Sequence, residues 1–104
     1  MKLLFALAVT YGMAMPTQAE TLKEVCSQLK EYASIVMQSR QIGMPYDLVV
    51  SSIDPAATAP VEAMLVGIID QAYQFPIYIS PSLQETAASD YGLIVELRCY
   101  RDNQ

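Results

Sequence analysis

TLKEVCSQLKEYASIVMQSRQIG, residues 21–43, carries the clearest structural signal in the chain. Leu22, Val25, Cys26, Leu29, Tyr32, Ala33, Val36 and Met37 recur at intervals of three and four residues. That period places them on one stripe of an α-helix. Thr21 and Glu24 have the spacing of a capping box. Glu20 and Glu24 lie near the positive end of the helix dipole and Arg40 near the negative end. Gly43 can take the left-handed conformation that stops a helix, and Pro45 follows it. The pattern predicts an amphipathic helix over 21–42, whose apolar stripe needs covering by the rest of the chain.

Downstream, two more helical stripes supply that cover. Residues 45–53 (PYDLVVSSI) suit a short helix or a strand, and a short helix is expected. Residues 54–60 (DPAATAP) read as a connection. Thr58 or Ala59 then opens a helix that tolerates Pro60 in its first turn. Val61, Met64, Leu65, Ile68, Ile69, Ala72 and Tyr73 form its stripe, and Phe75-Pro76 ends it. Ile77-Tyr78-Ile79 reads as an extended crossing. Ser80-Pro81 and Ser82-x-x-Glu85 restart a helix, with Leu83, Ala87, Tyr91, Ile94, Val95 and Cys99 on its stripe. Gly92 weakens that helix by about 1 kcal/mol relative to alanine. A strand over residues 92–100 therefore competes with the helical reading. The expected fold class is all-α: a small bundle of three main helices plus one short helix, the terminal helices joined by a disulfide.

Residues 1–19 read as a cleaved signal peptide. Met1-Lys2 gives a positive start, Leu3 to Val9 is unbroken apolar sequence, and Thr17-Gln18-Ala19 places small residues before a cut after Ala19. The apolar stretch from Leu3 to Met15 falls short of the roughly 20 residues that span a bilayer, so no stable membrane anchor is expected. Residues 20–104 then form a single helical domain. So short a chain has a marginal core, and small exported domains commonly add a covalent staple. The chain has two cysteines, Cys26 and Cys99, which allow one pairing. The formal net charge is −5, and losing Lys2 with the leader makes the rest more acidic. Such a domain repels phosphate backbones, so nucleic acid is not an expected partner.

The chemistry-bearing motifs are weak. The chain has no histidine and no tryptophan, which removes the commonest general base and metal ligand. Cys26 and Cys99 lack zinc-site spacing, so no metal and no cofactor are expected. Ser27-x-x-Lys30 matches a serine–lysine nucleophile pattern but lacks its companion motifs, and reads as a solvated helix face. Glu62 and Asp70 share one helix face without any sign of a cleft. No catalytic residue is assigned, and an enzyme is not expected. Arg40-Gln41 at a helix end could bind an anionic group or satisfy the last helical carbonyls. Tyr73, Phe75 and Tyr78 cluster with Pro76 around one turn, as recognition patches and small cores both do.

Cys26, Tyr32-Ala33, Val36-Met37, Arg40-Gln41-x-Gly43, Ala72-Tyr73-x-x-Pro76 and Cys99 together resemble the pattern of small exported proteins of Gram-negative proteobacteria and their phages. The resemblance implies a periplasmic location and supports the terminal disulfide. That group has no established activity, so it transfers no catalytic residue. Gln84-Glu85-Thr86 stands where those proteins tend to be more basic. The expectation is a periplasmic or secreted interaction module that binds another envelope protein through Arg40, Gln41, Tyr73, Phe75 and Tyr78. The alternative is a periplasmic binder of small anions that uses Arg40 and Gln41. A homodimer is compatible with either.

Overall fold

The computed structural model describes residues 18–104, with side chains described from Thr21 onward. The expected leader lies outside the described residues, apart from the backbone of its last two positions. Among the described residues four helices follow one another: α1 (Gln18–Gln41), α2 (Tyr46–Ser51), α3 (Ala59–Ala72) and α4 (Pro81–Asp102). The described residues contain no strand, and residues 92–100 are helical. None of these helices is long and apolar enough to cross a membrane.

Helix ends differ from the sequence expectation in two places. α1 is already helical at Gln18, upstream of Thr21, because Ala19 and Glu20 are good helix formers and carry the helix through the expected cap. α3 ends at Ala72, short of Phe75. The chain there tightens into three-residue turns, with Gln74 N donating to Gln71 O (3.2 Å) and Phe75 N to Ala72 O (3.1 Å). α4 opens as expected at Ser80-Pro81: the Ser80 hydroxyl accepts from Leu83 N at 3.4 Å, and Ser82 lies inside the helix. Where α1 stops, expectation and structure agree. Gly43 has φ +83°, Met44 N donates to Ser39 O (2.9 Å) and Gly43 N to Arg40 O (3.0 Å). These are the two bonds of a Schellman cap.

α1 and α4 run antiparallel and form the main seam. The core gathers Ala33, Val36 and Met37 of α1, Val49 of α2, Ile68, Ile69 and Ala72 of α3, and Ala88, Tyr91 and Val95 of α4. The buried face of α4 is thus Ala88, Tyr91, Gly92, Val95 and Cys99, whereas Leu83 and Ile94 of the expected stripe are exposed. Only the second half of α3 reaches the core, and Val61 and Met64 remain exposed. Tyr91 is 2% exposed and donates its hydroxyl to Ile68 O (2.6 Å), tying α4 to α3. Burial pushes its phenol up to about 12, against the opposing pull of Arg98.

Gly92 explains why the α4 stripe is centred on small residues. A Cβ at this position would stand 2.8 Å from the backbone oxygen of Lys30 and 3.3 Å from Ser34 Cβ. Glycine is therefore the condition for α1 and α4 to lie so close. Two turns further along α4, Cys99 meets Cys26 with Cα atoms 5.5 Å apart, closing a loop across 73 positions. Both sulfur-bearing residues are buried. In the chain-entropy model such a loop stabilises by about 4 kcal/mol.

Two measurements check this seam. Gly92→Ala should destabilise by about 1–3 kcal/mol through overpacking, although helix propensity taken by itself favours alanine. Gly67→Ala, on an exposed face of α3 with nothing within 4 Å, should stabilise by up to about 1 kcal/mol. Urea unfolding of the pair gives the two signs. Separately, a thiol label should find no free cysteine in the native protein, and reduction should lower the thermal midpoint by roughly 15–30 °C.

Candidate functional site

The five expected binding residues converge at the end of the bundle where α1 stops and the 73–80 link crosses to α4. The Schellman cap turns the chain sharply after Gln41, which leaves Arg40 and Gln41 facing that link. Arg40 Nε donates to Phe75 O at 2.9 Å, and its guanidinium lies over the Tyr73 ring, 5.2 Å from the centroid. Tyr73 in turn donates its hydroxyl to Met44 O (2.7 Å), just past the Gly43 turn. Burial raises the Tyr73 phenol above its ordinary range, and the Arg40 charge opposes that rise. Ring edges continue the packing, with Tyr46 against Tyr73 at 5.6 Å and Phe75 against Tyr91 at 5.7 Å.

Gln41 is the central member. It is 4% exposed, and the rest of the fully buried residues among those described are apolar or glycine. A buried primary amide must find partners for its oxygen and nitrogen or forfeit their hydration. Gln41 Nε2 donates to Pro76 O (2.8 Å) and reaches Met37 Sδ at 3.6 Å, while Oε1 accepts from Tyr78 N (2.8 Å). From the other side, Gln84 Nε2 of α4 donates to Tyr78 O at 2.6 Å. Three side chains therefore pin the link at Phe75 O, Pro76 O, Tyr78 N and Tyr78 O. Pro76 itself has no N–H to offer, so acceptors on the link outnumber its donors.

This arrangement sorts the expected residues by role. Arg40, Gln41 and Tyr73 are engaged in holding backbone, Phe75 packs on Tyr91, and Tyr78 is half-buried. What the clasp presents to solvent is a different set. Ile79 is 97% exposed, Ile42 73% and Ile77 47%. The sequence did carry a signal for them. Pro76 and Pro81 bracket a segment too short to fold back on itself, and Ile77 and Ile79 lie within it.

The other candidate motifs are accounted for locally. Lys30 Nζ sits 3.9 Å from Glu96 across the α1–α4 seam, a long, partly exposed pair of small energetic value. Asp70 accepts from the Tyr46 hydroxyl and so anchors α2 to α3. That bond, with burial and the Asp70 and Asp47 charges, raises the Tyr46 phenol. Glu62 is exposed. Among the described residues no three His, Cys, Asp or Glu side chains come together as a metal-binding group. No protein-family model, curated protein or solved structure matches the chain.

The clasp is open to a direct test. Gln41→Ala removes its hydrogen bonds and strands two backbone groups, which should cost about 2–3 kcal/mol. Chymotrypsin should then cut after Tyr78 far faster than in the wild type. Gln41→Glu keeps an acceptor for Tyr78 N but turns a carboxylate oxygen toward Pro76 O at a buried site, so at neutral pH it should destabilise at least as much as Gln41→Ala and be cut at least as fast.

Proposed function

We propose that the chain is exported, shed of residues 1–19, and acts in the periplasm or outside the cell as a helical module that binds another envelope protein. Its contact surface is the end face made by Ile42, Ile77, Tyr78 and Ile79, with Arg40, Gln41, Tyr73 and Phe75 as the frame beneath. The observation that carries this reading is a nearly fully exposed isoleucine, Ile79, beside a backbone held at four points. A free loop loses conformational entropy on docking, and a loop already pinned has lost most of it in folding. Burying an exposed isoleucine at an interface then contributes about 1.5–3 kcal/mol. Export accords with the Cys26–Cys99 disulfide, since such bonds persist in oxidising compartments. A binding role asks nothing further of the chain than this surface.

The small-anion reading has less in its favour. Gln41 has both polar atoms of its side chain engaged and could serve an anion only by releasing the link.

Two experiments test the proposal. Mass spectrometry of the protein recovered from a periplasmic fraction should give an N-terminus at Glu20, and an intact Met1 would defeat the export reading. In capture from envelope extract, the wild type should retain a partner that Ile79→Asp loses by at least tenfold, with an unchanged thermal midpoint. Equal retention by both proteins would remove the end face from consideration.

A further inference from the structure

A second site stands on the other side of the α1 stop. A groove of about 440 Å³ opens between α1 and α2. That volume lies within the range of small-molecule pockets. Ile35 and Val36 of α1 and Leu48 and Val49 of α2 make its apolar walls. Ile35 and Leu48 are 59% and 56% exposed, so they form the rim.

The polar groups of the groove are few and specific. Ser39, Ser51 and Ser52 line it, and each has committed its proton to a carbonyl of its own helix. Ser39 Oγ donates to Ile35 O (3.1 Å), Ser51 Oγ to Leu48 O (2.8 Å) and Ser52 Oγ to Val49 O (2.6 Å). They can therefore only accept from a bound molecule. Tyr32 lines the same groove, and its hydroxyl is buried with no hydrogen-bond partner among the described residues. A buried hydroxyl left in that state forfeits its hydration with nothing in return. Among the described residues no Lys, Arg, Asp or Glu lines the groove, so a charged ligand would enter without compensation.

We infer that the groove between α1 and α2 binds a neutral, mainly aliphatic small molecule with a carbonyl oxygen, which accepts a hydrogen bond from Tyr32. An amide or alcohol proton on the same molecule would be received by the serine oxygens. The inference does not depend on the proposed partner-binding face. It uses different residues and a different class of ligand.

The test is a titration of the disulfide-bonded protein with octanamide, followed by amide chemical shifts, with sodium octanoate at pH 8 as the charged counterpart. Octanamide should give saturable shifts confined to residues 32–39 and 48–52, and octanoate should bind at least tenfold more weakly. Tyr32→Phe should bind octanamide about fivefold more weakly, equivalent to about 1 kcal/mol. The same variant should raise the thermal midpoint of the free protein, because it removes a hydroxyl that has no partner. A merely structural tyrosine would not move stability and affinity in opposite directions. Leu48→Asp, which sets a charge at the rim, should abolish binding with little change in stability. Non-saturable shifts, shifts centred elsewhere, or equal affinity in Tyr32→Phe would each overturn the inference.

Discussion

The antiparallel contact between α1 and α4 is the constraint on which everything else rests. Two features fix it, and they act differently. The Cys26–Cys99 bond raises the free energy of the unfolded chain by closing a long loop, and is indifferent to most of what lies between. Gly92 acts in the folded state, by allowing the two backbones to approach until Lys30 O lies where a Cβ would be. The bond sets which residues are opposite and the glycine sets how close they come. Once both are fixed, α3 has one place to lie, over Met37 and Tyr91, and the 73–80 link must cross the end of α1 to reach α4.

Much of this was legible in the sequence, because helices advertise themselves by period and cysteines by scarcity. The four helices, the stop at Gly43 and the single pairing of Cys26 with Cys99 follow from local rules. What the sequence obscured was the choice of buried face on α4. Leu83 and Ile94 are larger and more hydrophobic than Ala88 and Gly92, so a stripe drawn by hydrophobicity passes through the wrong pair. Close helix packing inverts that ranking, since small residues mark the line of contact and large ones flank it. The same inversion explains Gly92, whose helix propensity reads as a defect until its distance to Lys30 is known. Val61 and Met64 show a second limit: periodicity reports which residues share a face and does not report how far along the helix a partner extends.

The end face was half legible for a related reason. Arg40, Gln41, Tyr73, Phe75 and Tyr78 attract notice because their side chains are chemically versatile. In a domain with a small core, versatility is needed internally. The link between α3 and α4 brings backbone groups to the core boundary that no helix or strand satisfies, and Gln41 and Gln84 supply the missing partners. Buried or half-buried polar side chains near a Pro-containing crossing should therefore be assigned to backbone first, and to ligands only when their bonding capacity is in surplus. On that criterion Gln41 is fully engaged, whereas Tyr32, which the sequence reading took for a stripe residue, has capacity to spare.

The exposed isoleucines can be weighed against the same scarcity of core. A single exposed apolar side chain is ordinary on any protein surface and calls for no explanation. Ile79 differs because three side chains make four hydrogen bonds to the backbone of the segment that displays it. A polar residue at 79 would satisfy solvent equally well and leave the clasp intact, since every anchoring bond is made by backbone at 75, 76 and 78. The bonds and the display are chemically separable, yet they occur together. The clasp and the exposure of Ile79 are therefore separable by substitution: the segment is held through its backbone, and the side chain at 79 takes no part in holding it.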